Sequence, residues 1–162
     1  MKIIMDEITL CSMTRELCHR FFRDFENDPA VFCDADDRKE YQYSKEQVDL
    51  YFDRQKKQHR IVFAIMREGV PIGEIQLKDI DETKKECTLS IHMQNDRQKG
   101  KGYGTIAEQL AVDYAFEVLG METVNADTLL KNERSRRVLE KAGFQCVGRD
   151  EHFWYYRKRK KG

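Results

Sequence analysis

Proline is almost missing from this chain: only Pro29 and Pro71 occur in 162 residues, both where turns are expected anyway. With no linker, internal repeat or low-complexity segment to divide it, a 162-residue chain of 40% hydrophobic content reads as one compact domain over residues 1–162. The five cysteines, Cys11, Cys18, Cys33, Cys87 and Cys146, are odd in number and lack CxxC spacing. They point to neither a disulfide framework nor a zinc site, and a reducing cytoplasm is the expected location. No apolar run approaches the roughly 18 to 20 residues that span a bilayer. The start MKIIMDEITL also lacks the long apolar core of a signal peptide, so no membrane association is expected. Neither sign of charge is in excess. The 29 basic residues cancel 29 acidic ones, leaving no global field for nucleic acid, although RKRKKG at 157–162 is a local basic tail, expected to be solvated and frayed.

What is present alternates between two periodicities. A first strand is expected over 3–10, then a helix from about Thr14 that buries Leu17, Cys18, Phe21, Phe22 and Phe25 and stops at Asn27-Asp28-Pro29. After the acidic stretch CDADDRKEYQY, Ser44 and Gln47 have capping-box spacing and open a helix carrying Val48, Tyr51 and Phe52. The segments IVFAIM and PIGEIQL flank Arg67-Glu68-Gly69 as a hairpin. A strand over 87–93, a helix over 104–119 and a strand over 123–127 follow. A short helix then runs from Asn132 to a stop at Gly143, with closing strands over 144–147 and 153–156. The order predicts an α/β or α+β domain with a mixed central sheet of six to seven strands and about four helices.

The stretch LSIHMQNDRQKGKGYGTIAEQLAVDYAF places three glycines, Gly100, Gly102 and Gly104, at a strand-to-helix junction, where ligands commonly bind. Glycine permits backbone geometries and close approaches closed to other residues, so successive amides can converge on one anion. The helix beginning near Gly104 adds unpaired N–H donors and its positive dipole end, and Arg97, Lys99 and Lys101 add charge. The site suits a phosphate or pyrophosphate; a surface turn with solvated lysines is the plainer alternative. Two familiar motifs fail on the letters. A P-loop needs Ser or Thr after its lysine, but Gly102 follows Lys101, and GxGxxG needs a glycine where Thr105 stands.

K-G-K-G-Y-G-T, followed after one helix and one strand by N-E-R-S-R-R-V-L-E-K-A-G-F, resembles the GNAT superfamily of acyl-CoA-dependent N-acetyltransferases, and within it the RimJ/RimL-like branch. The family glycine motif maps onto Lys99-Gly100-Lys101-Gly102-Tyr103-Gly104, with Lys99 where Gln or Arg is usual; Arg97 to Gly102 fits as a shifted register. The resemblance implies a CoA-binding core at about 87–145 and acetyl-CoA as cosubstrate, with no metal. It implies that backbone groups at Ile91, His92 and Met93 pair with the pantetheine arm like an added strand. The pyrophosphate would meet the amides of Gln98, Lys99, Gly100, Lys101, Gly102, Tyr103, Gly104 and Thr105. Asn132 matches the asparagine that reaches the pantetheine, and a helix N-cap is an equally natural role for it. Gly143 and Phe144 are assigned to a left-handed helix stop.

The chemistry the resemblance implies is direct attack of a neutral amine on a thioester carbonyl, polarised by the N–H of Met93. Many family members place a tyrosine seven residues after the helix-initiating Asn to protonate the departing thiolate; here that position is Leu139. RimL-like members offer a serine three residues after the Asn, which makes Ser135 the candidate donor. The base is open among His92, Glu74 and, less directly, Glu86, because position 88 is Thr88 rather than the glutamate related sequences carry. Asp34, Asp36 and Asp37 are candidates for drawing a cationic amine to the mouth, or are a solvated loop. The expected partners are acetyl-CoA and a small-molecule amine or a protein N-terminus, and a homodimer is left open. A non-catalytic CoA-binding or sensing module is the alternative, and a nucleotide-binding regulatory protein is a third reading that leaves NERSRRVLEKAGF unexplained.

Overall fold

The computed structural model describes residues 2–5, 7–26, 41–94 and 100–161. Among these, eight strands form one sheet in the order β1-β2-β3-β4-β5-β6-β8-β7: β1 (Lys2–Met5), β2 (Ile8–Ser12), β3 (Ile61–Arg67), β4 (Val70–Asp81), β5 (Glu86–Met93), β6 (Thr123–Leu129), β7 (Gln145–Arg149) and β8 (Phe153–Arg159). Four helices accompany it among the described residues: α1 (Arg15–Arg23), α2 (Lys45–Lys57), α3 (Tyr103–Glu117) and α4 (Glu133–Lys141). This is the expected single-domain α+β architecture, with one strand more than the sequence suggested. The stretch 3–10, read as one strand, folds on itself at Glu7 into β1 and β2, paired antiparallel from Lys2↔Cys11 to Met5↔Ile8.

Local chemistry explains the helix ends. Thr14 caps α1 by accepting from the Leu17 N–H at 3.1 Å, and Ser44 caps α2 by accepting from Gln47 N–H at 3.3 Å. At the end of α4, Gly143 takes φ +95°, the Phe144 N–H reaches the Leu139 carbonyl at 3.0 Å and the Gly143 N–H reaches that of Glu140 at 3.1 Å. That is a Schellman stop, and the buried Phe144 supplies its apolar contact. The β3–β4 hairpin turns through Glu68 and Gly69, both at positive φ.

Alternation along β4 sorts the layers. Ile75 and Leu77 point into the main core, where Phe63 of β3 meets Tyr114 of α3 at 5.1 Å between ring centroids. Glu74 and Gln76 point the other way, to Tyr51 of α2. Thus α2 and α3 cover opposite faces. The basic stretch is not frayed over Arg157 to Arg159, which finish β8 and pair with β6, Arg157 also with Gln145 of β7. Arg157 Nε donates to Asn125 Oδ1 at 3.2 Å and Lys158 Nζ to the Ala142 carbonyl at 2.8 Å. Alternation places these cationic residues in a central strand, with their long stems over the sheet.

Candidate active site

Among the described residues every strand pair is antiparallel except β5 and β6, which α3 connects in parallel. Their pairing covers only Glu86↔Thr123, Cys87↔Val124 and Thr88↔Asn125. Beyond it β5 stays bound to β4 as far as Met93, and β6 stays bound to β8 as far as Leu129. Residues 89–93 and 126–129 therefore face each other across a wedge-shaped gap with no strand pairing between them. An extended ligand bearing amides is what such a gap accommodates.

At the open end of β5 stands the N-terminus of α3. Gly102, at φ +83°, occupies the cap position with no side-chain hydrogen bond, and the first turn holds no acidic residue. Ile106 N–H already closes on the Gly102 carbonyl at 3.1 Å, so the amides of Tyr103, Gly104 and Thr105 are the ones left without helical partners. A Cβ on Gly100 or Gly102 would meet nothing within 4 Å; what glycine supplies there is the left-handed backbone and open access. The segment holding Arg97, Gln98 and Lys99 lies outside the described residues, as do Cys33 and the acidic Asp34, Asp36 and Asp37.

Two clefts flank the gap. One of about 320 Å³ lies beside α3 and α4 and is lined by Gly100, Gly102, Gly104, Thr105 and Met93, among others. The second, of about 240 Å³, opens between the parted strands beside Ala126 and Thr128. Five residues line both: Ile91, His92, Glu108, Asn132 and Ser135. Four of these are candidates from the sequence, brought to one throat by the parting of β5 and β6. Asn132 caps α4, accepting from the Ser135 N–H at 3.1 Å, so its expected structural role is filled by the side-chain oxygen. Leu139 is 2% exposed and belongs to the core, so this helix face offers no phenol at the throat.

Other candidates stand apart. Lys101 is exposed, the Tyr103 ring lies 5.1 Å from the Arg67 guanidinium, and neither residue lines either cleft. Glu74 opposes His92 directly in the β4–β5 register but is fully buried, and lines a separate cavity of about 140 Å³ on the α2 face. Its Oε1 accepts from the Tyr51 hydroxyl and from Gln76 Nε2, the latter at 2.5 Å, while Oε2 is buried with no partner among the described residues. Desolvation, reinforced by the charge of Glu74, raises the Tyr51 pKa and keeps the phenol a donor. Tyr51 was legible only as a core aromatic. Also missed were Arg134, Arg137 and Lys141, which line the larger cleft from one side of α4, and Glu108, whose pKa burial raises to about 8.

An acetyltransferase (GNAT) domain profile matches residues 8–145, most of the chain. The chain belongs to the acetyltransferase (GNAT) domain family. Among its relatives, the "Probable N-acetyltransferase YjcK" of Bacillus subtilis is 31% identical over 116 residues, 70% of this chain and 64% of the relative. The spermidine N(1)-acetyltransferase of Escherichia coli K12 is 28% identical over 115 residues, 71% of this chain and 61% of that protein. The chain thus matches less than two thirds of the length of either. In fold, this GNAT domain superposes at a TM-score of 0.78 and 19% identity on "AAC(6')-Ib in complex with Parmomycin and AcetylCoA", covering 95% of this chain and 94% of that one. Among the described residues the GNAT domain holds no group of three or more His, Cys, Asp or Glu side chains placed to bind a metal ion. No described helix is long and apolar enough to cross a membrane.

Proposed function

We propose that this GNAT domain transfers an acetyl group from acetyl-CoA to a primary amine by direct attack, in the manner of the RimJ/RimL-like branch that the Asn132–Ser135 spacing resembles. The observation that carries the reading is the parting of β5 from β6 after Thr88 and Asn125, with an uncapped helix N-terminus at its mouth. The amides of 103–105, with those of the glycine turn at Gly100, Lys101 and Gly102, hold a pyrophosphate. The strand edges at Ile91, His92 and Met93 grip the amide-bearing arm, and the basic side of α4 lies along the cleft to offset its charge. Acetyl-CoA supplies the electrophilic thioester carbonyl.

The chain's own groups then manage two protons. The N–H of Met93 polarises the acyl oxygen. His92 accepts the proton released as the amine nitrogen joins the acyl carbon, with Glu74 opposite it in the register of the strand pair. Ser135 supplies a proton to the sulfur as the C–S bond breaks, and water carries a proton from His92 back to the serine, so none accumulates.

Thiol release from acetyl-CoA across a panel of polyamines, aminoglycosides, amino sugars, amino acids and peptide N-termini tests the reading. Turnover with one class is the expected result. CoA binding that survives ATP or NAD competition, with no turnover on any amine, would favour instead a CoA-sensing module, the reading that Leu139 in the tyrosine position keeps open. Absence of CoA binding would remove both.

A further inference from the structure

Glu108 is the throat residue that neither the packing nor the proton scheme above uses. It lies in the second turn of α3 with Ala107, Leu110 and Ala111 of the core around it, and is 1% exposed. Its Oε2 is buried without a hydrogen-bond partner among the described residues. A carboxyl left unpaired in such a place costs several kcal/mol as an ion, on the order of what burial of a lone charge carries. An apolar side chain would fill the same space without that cost.

The charged and titratable groups around it are spread over several elements. Glu26, His92 of β5, and Arg134, Arg137 and Lys141 of α4 line the larger cleft with it. Lys78 of β4 and Asp127 of β6 line the smaller one. None is hydrogen-bonded or ion-paired to it, and burial alone moves its pKa, up to about 8. At neutral pH the side chain is a carboxylic acid, with an O–H to donate and a carbonyl oxygen to accept. It opens onto both clefts at the point where they meet, from the helix side of the strand gap. The β5 and β6 edges meet a ligand in the plane of the sheet; Glu108 meets it from the α3 face. A ligand that calls for a donor there carries a carbonyl, and the pantetheine arm carries two amides.

We propose that Glu108 is a binding residue for the acyl-CoA arm, its protonated carboxyl donating a hydrogen bond to an amide carbonyl of pantetheine in the throat between the two clefts. The proposal rests on the acyl-CoA reading above and adds a contact that carries a proton. Binding then makes the carboxyl harder to deprotonate. Near pH 8 acetyl-CoA binding takes up a fraction of a proton, and affinity weakens as pH rises beyond that.

Calorimetry of acetyl-CoA binding at pH 6.5, 8 and 8.5, in two buffers of different protonation heat, reads this directly. Comparison with Glu108→Gln cancels the ligand's own ionisations, because glutamine keeps the shape and the donor but cannot titrate. Expected are proton uptake at pH 8 in the wild type and none in Glu108→Gln, with affinities within about threefold at pH 6.5. Glu108→Leu, which fills the space without a donor, should weaken binding about tenfold, the loss of one net hydrogen bond. Failure of the wild type to bind acetyl-CoA at any pH would overturn the acyl-CoA reading itself. Equal uptake in the wild type and Glu108→Gln, which assigns the proton to His92 or another group, would overturn the role of Glu108 alone. Wild-type affinity in Glu108→Leu would do the same. Should either variant fold poorly, zero uptake by the wild type at pH 8 is decisive against the proposal.

Discussion

At the scale of single residues, stability should carry the mark of Glu108 whether or not a ligand binds. Its folded pKa, about 8, is raised from an ordinary 4.5 because burial penalises the charged form. The unfolded chain releases this proton first as pH rises, so the contribution to stability is full below about 4.5 and is lost by about pH 8. Glu108→Gln removes that loss. Denaturation at pH 5 and pH 8 should therefore show the variant gaining relative to wild type between the two values; a constant difference would mean that Glu108 ionises normally. Ser135→Ala should lower turnover by roughly a hundredfold to ten-thousandfold, less if water substitutes, with acetyl-CoA affinity nearly unchanged. Unchanged turnover, with chemistry shown to be rate-limiting, would leave Ser135 as an ordinary first-turn residue beside its cap Asn132. Tyr51→Phe strips one of two donors from a buried carboxylate oxygen. A cost of about 1 to 3 kcal/mol in denaturant unfolding is expected, and unchanged stability would mean that this hydrogen bond contributes nothing to the fold.

At the scale of an element, the start of α3 combines two demands in Gly102. Its φ of +83° is strained for any β-branched residue, and its open surroundings leave the amides of the first turn accessible. Gly102→Val should therefore cost stability by about 1 to 2 kcal/mol from backbone strain. It should also weaken CoA binding by far more than that strain predicts, since the added side chain lies where phosphate approaches. Gly102→Ala separates the two effects: similar backbone strain, less obstruction. Matching CoA affinities in all three proteins would place the phosphate elsewhere.

At the scale of the whole molecule, the gap between β5 and β6 is a cost that a ligand can offset. Backbone groups at 89–93 and 126–129 lack strand partners across it, so their amides should exchange faster than those of the paired segments Glu86–Thr88 and Thr123–Asn125. Saturating CoA should slow exchange selectively along the two facing edges and raise the melting temperature. A stabilisation of about 2.7 kcal/mol is expected when the ligand stands at a hundred times its Kd. Protection spread evenly over the sheet, with nothing added along the gap, would argue against a ligand in the wedge.

Sequence alone determined most of what depends on neighbours along the chain. Helix starts at Thr14, Ser44 and Asn132 follow from side chains that reach amides three residues on, and the stop at Gly143 follows from its tolerance of positive φ. The glycine turn before α3 was legible for the same reason, and with NERSRRVLEKAGF it brought the family into view. Contacts between distant segments were not legible. The stretch 3–10 looked like one strand because its periodicity carries no sign of the reversal at Glu7, and RKRKKG looked frayed because charge does not reveal that Arg157 to Arg159 pair with β6. Glu74 and His92 were separate candidates in sequence; only the register of β4 with β5 set them opposite each other, and only α2 brought Tyr51 to the carboxylate. Nothing in the sequence pattern set Glu108 apart. Tertiary packing decided otherwise, because the side of α3 that carries it is turned under the parted strands, where water is excluded and a carboxyl keeps its proton.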